Sequence, residues 1–279
     1  MVEFRSTPSA AARFRSMHQS GCFILPNPWD IGSAVYLHHL GFKALATTSA
    51  GFAFSRGLPD SASALSLKQV LEHVREIAAA TPLPVNADFQ SGYANDPEGV
   101  AKNVELCVRT GVAGLSIEDA SGDDSSPLYP RAEAIERVRA ARASIDGTKV
   151  PVVLTARCEA LLVGERDPGR TILDRLTAYA DAGADCLYAP GVREPEMISA
   201  IVKEVAPKPV NVLISSSIPG LSFATLSDLG VRRISVGSAL ARVAWTSFIR
   251  AAKKIAETGT FDSFEDAVPF SELNKIFQS

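Results

Sequence analysis

Residues 84–90 read PVNADFQ, and residues 114–120 read GLSIEDA. Each stretch is a short apolar run that ends in polar or acidic residues, which is typical of a buried parallel strand. A helix-like stretch over residues 97–110 separates the two runs. Gly111 follows it and is suited to end the helix, because glycine tolerates a positive φ. The two runs therefore predict one strand–helix–strand unit.

The same unit recurs along the whole chain of 279 residues. Six further apolar runs begin near Cys22 (CFILPN), Ala44 (ALATTSA), Pro151 (PVVLTARC), Cys186 (CLYAPG), Pro209 (PVNVLIS) and Arg233 (RISVGS). Eight units in this length predict a closed (β/α)8 TIM barrel, since such barrels take about 250 residues. An open doubly wound sheet is the alternative, but no G-x-G-x-x-G motif follows the first strand.

No composition shift divides the chain, so we expect a single domain over residues 1–279. The helix-like segment at about residues 9–19 is expected to cap the bottom of the barrel. Residues 239–279 are expected to form a helical tail. The aromatic residues of this tail need a partner surface, on the chain's own barrel or on a neighbour.

The composition excludes several classes of protein. A net charge of −3 with dispersed basic residues argues against a nucleic-acid partner. No segment has the apolar length of a signal peptide or membrane span, which predicts a cytoplasmic protein without a membrane partner. Four cysteines lie far apart without a CxxC pair, as expected of reduced structural thiols.

Oxygen-bearing side chains end the third and fourth predicted strands. Asn86 and Asp88 are two residues apart and therefore share one face of their strand, and Glu118 ends the next strand. Active sites of barrels lie at these strand ends. Two carboxylates and an amide favour a Mg²⁺ or Mn²⁺ site. A structural ion-pair network with Arg157 is the alternative.

Several ordered motifs resemble the isocitrate lyase and phosphoenolpyruvate mutase superfamily. They are LPNPWDIGSA (25–34), TTSAGFAFSRGLPD (47–60), VNADFQSGY (85–93), SIEDA (116–120), LTARCEA (154–160), VNVL (210–213) and VGSALAR (236–242). The resemblance covers roughly residues 10–257. It implies a TIM barrel with Mg²⁺ at its mouth, held by Asp88 and Glu118, partly through water. Asp60 resembles the family acid that reaches the metal shell or the substrate.

The resemblance also implies a binding site for a small carboxylate substrate. The backbone N–H groups of Ser49, Ala50 and Gly51 match the turn that holds the substrate carboxylate. Arg157 matches the arginine that binds this carboxylate or the developing enolate oxygen, for which a guanidinium is suited. Asn211 matches a substrate-contacting position. Family members exchange a C-terminal helix between subunits, which implies a homodimer or homotetramer.

Three departures from the family pattern bear on the reaction. Asn86 stands where the family usually has a second acid, which removes one negative charge from the metal site. The lid, residues 121–130, reads SGDDSSPLYP and lacks the cysteine of the family's KKCGH-type motif. The glutamate that the lyases place at the end of the sixth strand is also absent.

These departures argue against cleavage of isocitrate or 2-methylisocitrate, because Asp123 and Asp124 repel a tricarboxylate and no lid thiol protonates the leaving group. We expect a Mg²⁺-dependent lyase-type enzyme that acts on a small 2-oxo or 2-hydroxy carboxylate through an enolate. C–C cleavage, decarboxylation and hydrolysis of an oxaloacetate-like acid all fit. Phosphonate (P–C bond) chemistry and a non-catalytic carboxylate-binding protein are the alternatives.

Overall fold

Eight parallel strands form the centre of the computed structural model, which describes residues 8–61 and 63–278. They are β1 (Phe23–Leu25), β2 (Leu45–Ala46), β3 (Val85–Asp88), β4 (Gly114–Glu118), β5 (Val153–Arg157), β6 (Cys186–Tyr188), β7 (Val210–Leu213) and β8 (Arg233–Ser235). Their hydrogen-bonded order is β1-β8-β7-β6-β5-β4-β3-β2. The N–H of Ala46 in β2 donates to the carbonyl of Pro26 after β1 at 3.0 Å, so the two edges meet. The predicted (β/α)8 barrel is confirmed.

Helices surround the strands. They are α1 (Ala10–Met17), α2 (Ile31–His39), α3 (Ser49–Ser55), α4 (Leu67–Ala80), α5 (Pro97–Val108), α6 (Arg131–Thr148), α7 (Pro168–Asp181), α8 (Pro195–Glu204) and α9 (Phe223–Asp228). Local sequence explains where they begin: the Asp96 carboxylate caps α5, and Pro97 stands in its first turn. Between α7 and β6, Gly183 has φ 103°, where a β-carbon would lie 2.8 Å from the Arg142 side chain. Glycine is therefore required at this turn.

The main core lies between the barrel wall and the helices. Leu115, Leu154 and Leu187 on successive strands belong to one buried cluster with Val104 of α5 and Leu176 of α7. All four cysteines are free thiols, and three of them are fully buried. They therefore contribute as small apolar side chains, as the sequence predicted.

Helix α1 lies against the end of the barrel at which the strands begin. Arg13 donates to the carbonyl of Pro82 before β3, and Arg15 donates to the carbonyl of Val152 before β5. Phe14 is fully buried in a second apolar cluster with strand residues that include Leu25. The barrel therefore opens only at the opposite end within the described residues.

Three helical segments follow the last strand: α10 (Ala239–Thr258), a 3₁₀ turn (Asp262–Phe264) and α11 (Phe270–Phe277). Only Ala241 of α10 is buried, whereas Val243 and Phe248 are 64% and 61% exposed. Helix α11 contacts α2 of the same barrel and buries Ile276. Among the described residues, no helix combines the length and the apolar character needed to cross a membrane.

Candidate active site

A cavity of about 360 Å³ lies at the carboxyl ends of the strands, and each of the eight strands or the residue after it contributes to its lining. This is the end at which barrel enzymes carry their sites. The cavity brings together most of the residues that the sequence predicted for the site, namely Ser49, Ala50, Asp60, Asn86, Asp88, Arg157 and Asn211. Glu118 and Gly51 are not among the lining residues, although Glu118 forms an ion pair with Arg157.

Arg157 is the centre of a carboxylate cluster. Its Nη1 lies 2.7 Å from Oδ1 of Asp88 and 3.1 Å from Oε2 of Glu118, and its Nη2 lies 2.9 Å from Oε1 of Glu159. The strand register explains this convergence, because Glu118 of β4 is paired directly with Arg157 of β5. These contacts form the ion-pair network that the sequence left open as the alternative to a metal site.

The cluster holds more acid than base. Asp88, Glu118 and Glu159 form ion pairs with the single guanidinium of Arg157, and Asp60 lines the same cavity. Burial raises the pKa of Glu118 to about 8, although Arg157 opposes this shift. Burial also raises the pKa of Glu159, and partial desolvation with the charge of Asp88 raises the pKa of Asp60. Within this cluster the carboxyl groups therefore outnumber the guanidinium of Arg157, while Arg233 and Arg242 also line the cavity.

The loop after β2 is bound to this cluster through Ser49. Both the N–H and the hydroxyl of Ser49 donate to Oδ2 of Asp88 at 2.9 Å. The N–H of Gly51 instead donates to the hydroxyl of Thr48 at 3.2 Å, so it faces the helix cap and not the cavity. A β-carbon on Gly51 would lie 2.6 Å from Thr48 Cγ2 and 3.0 Å from Trp29 Cβ. Tight packing therefore fixes the position of this loop.

The two predicted asparagines differ in their hydrogen bonding. Asn86 is buried, and its Oδ1 has no hydrogen-bond partner among the described residues. Asn211 accepts from Nε of Arg233 at 2.8 Å and donates to the hydroxyl of Ser235 at 3.0 Å. Asn211 is therefore part of a fixed network at the wall of the cavity, whereas Asn86 keeps an unused acceptor.

The donor set fits a hard divalent cation. Among the described residues, no three acidic, histidine or cysteine side chains already gather as a ligand set. However, Mg²⁺ commonly uses only one or two carboxylates and completes its shell with water and substrate oxygens. Asp88 and Glu118 supply those carboxylates, and the surplus of negative charge and the unpaired Oδ1 of Asn86 are compatible with a cation.

The residues of the lid form hydrogen bonds with one another. Oδ1 of Asp123 accepts from the N–H and the hydroxyl of Ser125, and the Ser121 hydroxyl donates to the carbonyl of Ser126. An isolated bridge between Ala120 and Leu128 closes the base of the loop. None of the lid residues lines the described cavity. The chemistry of the cavity therefore comes from strand and loop residues.

The structure places three residues at the cavity or its wall that the sequence analysis did not assign to the site. Glu159 binds Arg157, Tyr188 lies under the same guanidinium with 5.2 Å between Arg157 Cζ and the ring centroid, and Arg233 lies at the floor. Strand pairing in the structure accounts for two of them. Tyr188 and Arg233 occupy inward positions in strand register with Arg157 and Asn211, respectively.

Comparison with known proteins extends over almost the whole barrel. The sequence model of the family described as phosphoenolpyruvate phosphomutase matches residues 14–256. A crystal structure from Burkholderia cenocepacia J2315, described only at the level of lyase or mutase, is 44% identical. It covers 97% of this chain and 96% of its own, with a TM-score of 0.93.

Several similar proteins have oxaloacetate in their names. The structure of oxaloacetate acetylhydrolase in complex with its product oxalate is 28% identical, covers 96% of this chain and 93% of its own, and has a TM-score of 0.86. An oxaloacetate decarboxylase from Pseudomonas putida (strain GB-1) is 31% identical over 235 residues, which are 81% of this chain and 78% of that protein.

Proposed function

The chain belongs to the phosphoenolpyruvate phosphomutase family of lyase-type enzymes, and we propose that it uses Mg²⁺, with Mn²⁺ as the alternative, to transform a small 2-oxo or 2-hydroxy carboxylate through an enolate. The reaction is C–C cleavage, decarboxylation or hydrolysis of an oxaloacetate-like acid. The observation that carries this proposal is the cluster of Asp88, Glu118 and Glu159 around Arg157 at the cavity.

The surplus of acid distinguishes this cluster from a purely structural ion-pair network. A structural network buries charge only when it is balanced, because an uncompensated buried charge is costly. Here Asp88, Glu118 and Glu159 share one guanidinium, and burial raises the pKa of Glu118 to about 8, so without a further cation this carboxyl takes up a proton at neutral pH. A divalent cation beside Asp88 and Glu118 restores the balance. When bound, it stabilises the negative charge that develops on the substrate.

Arg157 orients the substrate in this scheme. Its Nε and Nη2 face Glu159, and its Nη1 faces Asp88 and Glu118, which leaves one N–H of Nη2. Two parallel N–H bonds to a substrate carboxylate, which fix the plane of the acid, therefore require the substrate to displace one of these acids. Ser49 and Ala50 line the cavity at the start of α3; because the N–H of Ser49 donates to Asp88, the N–H of Ala50 is the one assigned to the substrate carboxylate. Asp60 lies at the mouth with a raised pKa and is suited to exchange a proton with the substrate.

The size of the cavity and the lid favour an acid of three or four carbons. A volume of about 360 Å³ is at the lower end for a ligand site. The lid contains hydroxyls and two acids but no cysteine, so it supplies no thiol to protonate a departing succinate carbanion. Its residues also lie outside the cavity lining. The names of the oxaloacetate acetylhydrolase and oxaloacetate decarboxylase relatives support the same substrate class.

Phosphonate chemistry is the second candidate, because the matching family model is that of a phosphomutase. The mutase branch carries an asparagine on its lid, and residues 121–130 contain none. Cleavage or rearrangement of a P–C bond is therefore the weaker proposal for this chain.

A substrate panel tests the proposed function. Oxaloacetate, phosphonopyruvate, phosphoenolpyruvate, isocitrate and 2-methylisocitrate are assayed with and without Mg²⁺, with products identified by NMR. Consumption of oxaloacetate, with oxalate and acetate or pyruvate as products, supports the proposal. Cleavage of 2-methylisocitrate at about 1 s⁻¹ or faster contradicts it, and release of phosphate from phosphonopyruvate favours the second candidate.

We also propose a homodimer or homotetramer assembled through α10. The helix presents exposed apolar side chains, including Val243, Trp245 and Phe248, and Ile24 on the outer face of β1 is 36% exposed. Apolar area of this extent is unfavourable in water. Exchange of α10 between two copies covers both surfaces, in accordance with two-fold symmetry.

A further inference from the structure

The floor of the cavity carries a buried arginine that the proposed reaction does not use. Arg233 of β8 is 2% exposed and lines the cavity. Its Nη2 donates to the hydroxyl of Thr155 on β5 at 2.9 Å, and its Nε donates to Oδ1 of Asn211 on β7. The guanidinium therefore reaches across the interior of the barrel.

Every hydrogen-bond acceptor of Arg233 is neutral. Besides the amide of Asn211 and the hydroxyl of Thr155, Nη1 lies 3.3 Å from Nε2 of His18. The Nδ1 of His18 lies 2.8 Å from the carbonyl of Phe14, so it carries the ring proton and leaves Nε2 as an acceptor. Burial and the charge of Arg233 lower the pKa of His18 to about 3, which keeps the ring neutral.

Arg233 also lacks a carboxylate partner in the described part of the chain. None of the ion pairs there includes it, and the three acids of the cavity cluster are bound to Arg157. A guanidinium has five N–H donors. Three are used by Thr155, Asn211 and His18, which leaves one N–H on each terminal nitrogen. A buried cation with only neutral partners is costly unless an anion joins it.

The cavity that Arg233 lines is suited to a polar ligand. Ser116, Ser235 and Asn86 line the same cavity and are buried, and the hydroxyl of Ser235 accepts from Asn211, the partner of Arg233. An apolar floor would be expected if the barrel interior served only as packing. Three arginines line the cavity: Arg157 is paired with carboxylates, Arg242 donates to the carbonyl of Ser215, and the buried Arg233 has only neutral side-chain partners.

We infer that Arg233 forms a second anion subsite at the cavity floor, so that the substrate is a compact acid with two acidic groups. One carboxylate binds at Arg157 and the loop after β2, and the second binds at Arg233 and the hydroxyls beside it. This inference rests on the proposed function and narrows its substrate class. Arg233 acts as a specificity-determining residue that selects dicarboxylates over monocarboxylates of equal length.

Equilibrium binding tests the subsite without turnover. Malate and 2-hydroxybutyrate have four carbons each and the same 2-hydroxy acid end, so they differ only in the second acid group. Calorimetric titration of the wild-type protein with both ligands in the presence of Mg²⁺ is expected to show at least tenfold tighter binding of malate. Equal affinities in the wild-type protein would overturn the inference without any variant.

Two variants assign the preference to Arg233. In Arg233→Gln the preference for malate is expected to fall to within twofold, and in Arg233→Lys, which keeps a charge, it falls in part. A preference that persists unchanged in either variant, with an unchanged circular dichroism spectrum, contradicts the inference. A purely structural role of Arg233 lowers thermal stability and leaves the ratio of the two affinities unchanged.

Binding of oxalate distinguishes a failure of this inference from a failure of the proposed function. It is short enough to bind at Arg157 alone, so its affinity is expected to be equal in the wild-type protein and both variants. If oxalate fails to bind the wild-type protein while malate binding depends on Arg233, the proposed function is wrong and the floor subsite stands. If oxalate binds and the malate preference is absent, the floor subsite is wrong and the proposed function stands.

Discussion

Nη1 of Arg157 lies 2.7 Å from Oδ1 of Asp88, while Oδ2 of the same carboxylate accepts the N–H and the hydroxyl of Ser49. Asp88 therefore connects β3, β5 and the loop after β2. The carboxylate that we assign to the cation also positions the two groups that we assign to the substrate. A change at any of the three residues is expected to affect both functions.

Replacement of Arg157 by lysine tests the need for a guanidinium. Arg157→Lys keeps the charge but loses the planar pair of donors, so kcat/KM is expected to fall by about 100-fold or more. Steady-state kinetics on the best substrate of the panel measure this loss. Arg193→Lys, at an exposed position, is the matched control and is expected to keep full activity. A loss of less than about threefold in Arg157→Lys contradicts the assigned role.

Replacement of Gly51 by alanine tests the packing around the loop after β2. Gly51→Ala places a methyl group 2.6 Å from Thr48 Cγ2, which forces the loop to shift and is expected to cost about 1–3 kcal/mol of stability. Activity should fall with it, because Ser49 is displaced from Asp88. Urea unfolding gives the free energy. The control is Gly147→Ala near the end of α6, where no atom lies within 4 Å and a small gain is expected.

The sequence predicted the barrel and the Asp88, Glu118 and Arg157 cluster because both depend on local patterns. Strands recur as apolar runs, and alternation within a strand places Asp88 on the inner face. The position of Arg233 at the floor of the cavity was not predicted, since its neutral partners His18, Thr155 and Asn211 come from distant parts of the chain. The orientation of Gly51 N–H was also missed, because the Thr48 cap competes for it.

His18 predicts a pH dependence of stability. Burial and the charges of Arg233 and Arg15 lower its pKa from 6.5 to about 3 in the folded protein. The unfolded chain therefore binds more protons between these pH values, and stability is lost as the pH falls below about 6.5, by at most about 1.4 kcal/mol per pH unit.

Urea unfolding of the wild-type protein and His18→Gln between pH 4 and 7 measures this dependence. The variant is expected to show a shallower slope, since glutamine does not titrate and its amide oxygen can accept from Arg233. His73, whose pKa is lowered to about 4, contributes a similar slope in both proteins and cancels in the difference. Identical slopes would show that His18 titrates normally in the folded state.

The apolar face of α10 predicts self-association. Light scattering at micromolar concentration is expected to give at least a dimer. Phe248→Asp is expected to shift the equilibrium towards the monomer, because it places a charge at the apolar contact proposed between two copies. Leu106→Asp changes an exposed apolar residue on α5 and serves as the control. A wild-type protein that is strictly monomeric would rule out assembly through α10.

The central claim is that a divalent cation at Asp88 and Glu118 supports enolate chemistry beside Arg157. The most direct measurement is kcat/KM for oxaloacetate in Mg²⁺ and in excess chelator, with the same solutions without protein as the blanks that correct for spontaneous decarboxylation. We predict turnover that is lost in chelator, returns when Mg²⁺ is restored, and is reduced at least 100-fold in Asp88→Ala. Turnover that is undiminished by chelator, or equal in Asp88→Ala, would contradict the account.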